Sequence, residues 1–300
     1  VGKTTTKENI FHILKNNNFK VYRSYKNFNN LQGLQFSIMN LQIDTDYSVF
    51  ELGINNPNEM SKLVKILRPH YCLITCIENS HIGNFKNMKH LIDNKLKIFK
   101  SDRLINGLVN FHYNRKYLKN NLNTKVKIIN VESIKKDISK TKKKFLIKFT
   151  HNSNDVSLIS SRANFYENTA IFCYLFLIRF INNFKSNVFF YENAIIDSRG
   201  SEEIAYVKGK KIKFYNHSYN ANPYSLNKQI LAFNQRNIHQ KVFILGSMKE
   251  LGNLSDFFHL KIIELVSQLN LKRIIFIGEE FYKFKKKYTK FFFYKNYNSA

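Results

Sequence analysis

Apolar residues fall along the chain in two recurring patterns: short runs rich in Val, Ile, Phe and Tyr, and longer stretches with apolar positions at helical spacing. These predict a helix over Thr5–Lys15, strands over Tyr47–Leu52 and Tyr71–Ile77 with a helix at Asn58–Leu67 between them, and a helix over Asn87–Asn94. Strands follow at Leu108–His112 and Val126–Val131, and Phe145–Phe149 pairs locally with Val156–Ser160. A long apolar helix covers Asn164–Asn183. Strands alternating with helices in this way imply a mostly parallel sheet with crossover helices on its faces. Near Arg199 a second series begins: strand Lys211–Tyr215, helix Tyr224–Gln235, strand Lys241–Leu245, helix Asp256–Leu269, strand Arg273–Ile277 and a basic helix over Glu279–Lys287. It reads as a smaller Rossmann-like unit. The expectation is therefore an α/β chain of two domains, 1–198 and 199–300, with loops at Asn27–Asn30 and Lys119–Asn123 and no internal repeat.

Composition narrows this only slightly. The 44% hydrophobic content is enough for two cores, and no run of eighteen or more apolar residues reads as a membrane span. The most apolar run, Ala170–Ile181, contains Arg179 and reads as a buried helix. A net charge of +27 points first to nucleic acid. However, the lysines are spread along the chain together with abundant Asn, Ile, Phe and Tyr, a composition that an AT-rich genome produces whatever the function. No stacking or groove-reading module is visible, so nucleic acid is not the expected partner. Cys72, Cys76 and Cys173 form neither a disulfide framework nor a metal spacing, which fits a reducing cytoplasm.

The chemistry begins at the first residues. Gly2-Lys3-Thr4-Thr5-Thr6 has the end of a phosphate-binding loop: glycine for close backbone approach, lysine for the β- and γ-phosphates, a hydroxyl for the metal and a helix start for negative charge. About fifty residues on, Ser48-Val49-Phe50-Glu51 is an apolar strand ending in a carboxylate, well placed to hold Mg²⁺. After the next strand, Ser80-His81 adds a second polar group at a strand end.

These motifs resemble those of the Mur ligase family in order and spacing. The resemblance runs through Gly2–Glu8, Glu51-Leu52-Gly53-Ile54, Ile77–Phe85, Ser218-Tyr219-Asn220-Ala221-Asn222-Pro223, Leu245–Gly252 and His259, and it includes the Asn-rich Asn27–Leu34. It implies a central P-loop ATPase domain followed by a Rossmann-like C-terminal domain, incomplete here, in a piece of a longer protein. The branch resembled adds D-alanyl-D-alanine to UDP-N-acetylmuramoyl-tripeptide through an acyl phosphate, using ATP and Mg²⁺, as a cytoplasmic monomer. By position, Gly2, Lys3, Thr4 and Thr5 cradle phosphate, while Thr4, Glu51 and His81 serve the metal. Lys95 falls where the family carries a carbamylated, metal-binding lysine. Asn164 and Asn168 fall near the adenine site, Arg199 at the domain junction, and His217 where an aspartate serves the ribose. Lys3, His81 and Lys95 are the residues assigned to catalysis.

Departures from the family pattern are specific. His217 replaces that aspartate, Ser247 replaces the aspartate of Gly-Asp-Met, and Lys97 stands where a glutamate is usual. The alternatives left open are a degenerate, inactive homologue that keeps the fold, and a related Mur or folylpolyglutamate-type ligase.

Overall fold

A computed structural model describes residues 2–111, 115–140, 145–160, 167–181, 188–191, 200–238, 240–269, 271 and 273–299. The chain divides into two compact units, 1–77 with 89–194, and 78–88 with 195–300. The sequence placed Glu78–Met88 within the first domain; the structure groups this excursion with the second.

In the first unit the elements are α1 (Lys3–Asn16), β1 (Val21–Arg23), α2 (Leu31–Met39), β2 (Tyr47–Val49), α3 (Glu59–Leu67), β3 (Tyr71–Ile74), α4 (Met88–Leu96), β4 (Asn106–Asn110), α5 (Arg115–Asn121), β5 (Val126–Ile129), β6 (Lys136–Lys140), β7 (Phe145–His151), β8 (Asn154–Ser160), α6 (Glu167–Phe180) and β9 (Val188–Tyr191). Strands β3, β4 and β5 pair in parallel in that order, as do β1 and β2. Strands β6, β7 and β8 form an antiparallel meander, to which β9 adds in parallel.

The core explains the apolar run seen in the sequence. Every residue from Ala170 to Leu177 is buried, as expected of a helix that is hydrophobic on all sides. Helix α6 packs on α1, which is itself buried from Thr4 to Ile10 although most of those residues are polar. Burying so many polar groups costs free energy unless they are paired or serve a ligand.

The second unit continues with β10 (Ser201–Val207), β11 (Lys210–Asn216), α7 (Pro223–Asn234), β12 (Val242–Gly246), α8 (Ser255–Ser267), β13 (Arg273–Ile277), α9 (Glu279–Tyr282) and β14 (Phe292–Tyr294). Strands β10 and β11 are an antiparallel hairpin turned at Lys208-Gly209, both with positive φ, as two-residue hairpin turns require. Strands β12, β13 and β14 are parallel. Phe276, Phe281 and Phe293 are buried together in this unit, Phe276 stacked on Phe293 and tilted against Phe281. Helix α7 starts where its sequence dictates: the Asn222 carboxamide accepts the Ser225 N–H at 3.0 Å, and Pro223 occupies the first turn.

Three expectations need correction. Lys119–Asn121 lies in α5 rather than in a loop. The basic helix at Glu279–Lys287 is helical only to Tyr282 and continues as turns. The strands expected over Tyr47–Leu52 and Tyr71–Ile77 end early, at Val49 and Ile74, so Glu51 and Thr75 sit in the loops beyond the strands.

Candidate active site

Helix α1 begins at Lys3 directly after Gly2, whose φ of 78° is the left-handed conformation that glycine adopts without strain. A Cβ at Gly2 would lie 3.9 Å from the Thr75 side chain, which places the start of α1 just beyond the carboxyl end of β3. Carboxyl ends of parallel strands beside a helix N-terminus are where α/β folds bind anions. Lys3 is half-buried, whereas Thr4 and Thr5 are buried. The Thr4 hydroxyl has no hydrogen-bond partner among the described residues.

Glu51 follows β2 by two residues and is 5% exposed. Its Oε1 accepts the Asn29 side-chain N–H at 2.8 Å, and its backbone N–H donates to the Ser24 hydroxyl at 3.1 Å. Its Oε2 is buried with no partner among the described residues. A carboxylate oxygen and a threonine hydroxyl, both buried and unused, are hard donors that suit a divalent cation such as Mg²⁺. Among the described residues no three His, Cys, Asp or Glu side chains converge as a metal site; Mg²⁺ is commonly held by one or two carboxylates together with substrate phosphates.

The loop carrying these contacts is tied down by Lys7, to which the sequence alone assigns no role. The Lys7 ammonium is almost fully buried, donates to the Ser24 carbonyl at 2.9 Å and to the Lys26 carbonyl, and lies 3.0 Å from the Glu8 carboxylate. Glu8 also pairs with Arg23 at the end of β1. Asn29, Ser24 and Lys7 were missed because their roles depend on a fold-back between α1, the β1 loop and β2. The only sequence signal was the asparagine-rich loop itself.

Lys95 lies half-buried near the end of α4. Lys97 is committed elsewhere: its ammonium donates to Asn58 Oδ1 at 2.7 Å and Asn94 Oδ1 at 2.8 Å, joining the end of α4 to the start of α3. Asn168 Oδ1 accepts from the Lys136 ammonium at 2.6 Å. Asn164 and Arg199 lie outside the described residues.

Among the described residues, two predicted site residues belong to the second unit. His217 follows β11 directly, and the next turn is closed by Asn216 Oδ1, which accepts from both the N–H and the hydroxyl of Ser218. His81 has a left-handed backbone and starts a short 3-10 turn at Ile82–Asn84. Its Nδ1 pairs with the Glu250 carboxylate, a partner that sequence reasoning missed. Beside it, Gly83 N–H donates to the Glu250 carbonyl at 3.0 Å. A Cβ on Gly83 would come within 2.6 Å of Gly252 N, so the two backbones meet at van der Waals distance. His259 anchors the same loop from beneath: its Nε2 accepts the Met248 N–H at 3.0 Å, and its Nδ1 lies 2.7 Å from the Ser255 carbonyl. Burial holds its pKa below the usual histidine value, so the ring is neutral with its proton on Nδ1.

Residues 1–172 match the Mur ligase middle domain. The chain belongs to the Mur ligase family. Its curated relatives include the UDP-N-acetylmuramoyl-tripeptide–D-alanyl-D-alanine ligase of Borreliella burgdorferi, 32% identical over 93% of this chain and 61% of the relative. The enzyme of the same name from Rickettsia prowazekii is 29% identical over 93% of this chain and 64% of the relative. This Mur ligase chain thus spans somewhat under two-thirds of the length of these two relatives. Among solved structures it resembles MurF from Acinetobacter baumannii, with a TM-score of 0.79, 22% identity, and coverage of 98% of this chain and 65% of that one. It also resembles MurF from Thermotoga maritima in complex with ADP, with a TM-score of 0.77, 22% identity, and coverage of 98% and 68%. These likenesses establish the Mur ligase fold, a P-loop α/β unit followed by a smaller Rossmann-like unit.

Proposed function

We propose that the protein is an ATP-dependent ligase that adds D-alanyl-D-alanine to UDP-N-acetylmuramoyl-tripeptide in the cytoplasm, in the synthesis of cell-wall precursors. The observation that carries this reading is the pair of buried, unpartnered oxygens, Thr4 Oγ1 and Glu51 Oε2, in the unit that carries the phosphate-loop helix. The names of the relatives support this choice of acid and amine. The tripeptide carboxylate takes the γ-phosphoryl group from ATP, releasing ADP, and the dipeptide amine then attacks the acyl carbon, displacing inorganic phosphate and losing a proton as the amide forms. Two anions must approach each other, so the chain contributes positive charge and alignment. Gly2, Thr5 and the amides at the start of α1 hold phosphate oxygens, and the Lys3 ammonium neutralises the β- and γ-phosphates. Thr4 and Glu51 hold Mg²⁺, with His81 and a carbamylated Lys95 serving a second ion. A carbamate suits that role because a lysine ammonium beside a metal is repelled. Asn164, Asn168, Arg199 and His217 remain the proposed contacts to the nucleoside.

The test is phosphate release by the full-length protein supplied with Mg²⁺-ATP, the UDP-linked tripeptide and D-alanyl-D-alanine. Release should depend on the dipeptide and vanish in Lys3→Ala; release that ignores either change rejects the assignment. The rival reading, a homologue that keeps the fold without catalysis, rests on His217 in the place of an acidic ribose contact. His217→Asp separates the two. A working ligase with a weakened ribose contact responds with a lower KM for ATP and little change in kcat, whereas an inactive homologue stays silent.

A further inference from the structure

We infer that Asn29 is a positioning residue that fixes the rotamer of the Glu51 carboxylate and thereby sets the affinity of the site for its divalent cation. This inference rests on the proposed role of Glu51 as a Mg²⁺ ligand. Glu51 is gripped at two points from one loop: Ser24 Oγ accepts its backbone N–H at 3.1 Å, and the Asn29 amide donates to Oε1 at 2.8 Å. The backbone of Asn29 is fixed in turn, because its main-chain carbonyl accepts the Gly53 N–H at 2.8 Å. The side chain of Asn29 occupies the space in which residue 53 would carry a Cβ. That atom would lie 2.5 Å from Asn29 Oδ1 and 2.7 Å from Cγ. With Oε1 taken by an amide donor, Oε2 is the oxygen left for a cation, and it is the one that is buried and unpartnered among the described residues.

A carboxylate held by one amide donor cannot rotate freely, so it loses less entropy when it binds a metal. Removal of such an outer contact weakens metal binding by about 10–100-fold. A residue that served only to hold the loop would change stability and leave metal affinity alone. Gly53 supplies an independent handle. Its Cβ would meet the far end of a flexible side chain, so Gly53→Ala displaces the Asn29 amide at small cost in stability.

The experiment titrates Mn²⁺, as a spectroscopic stand-in for Mg²⁺, into the full-length protein saturated with ADP. Bound and free ion are resolved by paramagnetic resonance, and the metal-free melting temperature is recorded alongside. Asn29→Ala and Gly53→Ala should each weaken Mn²⁺ binding about tenfold. The double variant should bind like either single one, because both changes remove the same hydrogen bond. Glu51→Gln is the control. If Glu51→Gln weakens Mn²⁺ binding and Asn29→Ala leaves it within about twofold, the positioning role falls and the metal assignment stands. If Glu51→Gln itself changes nothing, the metal assignment and this inference fall together. Losses that multiply in the double variant also overturn the inference.

Discussion

Replacing His259 with leucine removes a buried imidazole that the second unit uses from both of its nitrogens. The ring is fully buried, accepts the Met248 N–H, donates to the Ser255 carbonyl, and meets the edge of Phe281 with ring centroids 4.5 Å apart. Leucine is of similar size, so the main loss is an unpaired buried N–H at Met248, worth about 1–3 kcal/mol. The pH dependence adds a sharper signature. Burial is the largest influence on the ring and lowers its pKa; Lys249 acts the same way, while the Ser255 carbonyl, Glu280 and Asp256 oppose it. With the folded pKa below the unfolded value of about 6.5, the unfolded chain binds more protons in that window. Stability from this residue is therefore complete above the unfolded pKa and falls as the pH drops towards the folded one. The loss is at most about 1.4 kcal/mol per pH unit for one proton. His259→Leu lacks this term, so the gap between wild type and variant should be widest near pH 7.5 and shrink on going to pH 5.5. Urea titrations of both proteins across this range, followed by circular dichroism, measure the gap. A gap that stays constant or widens on acidification refutes the neutral, doubly bonded ring.

Other expected outcomes follow from single contacts. Gly252→Ala places a Cβ 2.8 Å from the Gly83 Cα at a φ of 54°, so it should destabilise the second unit by about 1–3 kcal/mol in the same urea assay. Lys97→Glu returns the residue common in the family, yet it faces the side-chain oxygens of Asn58 and Asn94. It should lower stability by about 1–2 kcal/mol, seen as a reduced melting temperature. Burial pushes the Cys72 thiol up to about 12, so Cys72 should resist a thiol reagent at pH 8 in the native protein and react once urea unfolds it; mass mapping of the labelled peptide reads this out. Lys95→Ala should abolish dipeptide-dependent phosphate release and regain part of it with a short carboxylic acid in solution, and full activity without the lysine removes the carbamate.

What the sequence revealed and what it hid divide along physical lines. Helix α6 was legible because its burial is written in consecutive apolar residues, and α7 because Asn222-Pro223 is a local start signal. The three-residue strand β1 and helix α2 were not, since one is too short for a period and the other has a glycine inside and exposed apolar residues along it. At the proposed site, Lys3, Thr4 and Glu51 stand out in the sequence because phosphate and metal chemistry limits the residue types that can serve. Ser24 and Asn29 hold Glu51, and Glu250 holds His81; many residue types could do either, and only the folded chain shows which ones are close enough. Lys7 shows the same limit in reverse: in a sequence with so many lysines, nothing local marks one as buried.

The burial of α1 ties two properties of the first unit to one thermodynamic quantity. The helix whose first turn is the proposed phosphate site also packs through Ile10, Ile13 and Leu14 into the centre of that unit, against α6. A nucleotide captured at that first turn can bind only the folded unit, so occupancy and folding are linked. At a free concentration one hundred times its Kd, such a ligand adds about 2.7 kcal/mol to the stability of the unit. The linkage also runs the other way: trimming Ile13 in the core, far from any phosphate contact, raises the population of unfolded chain with which the nucleotide must compete. The melting temperature of a core-weakened variant should therefore climb with nucleotide concentration from a lower starting point, making the phosphate site a reporter of how well the opposite end of its own helix is packed.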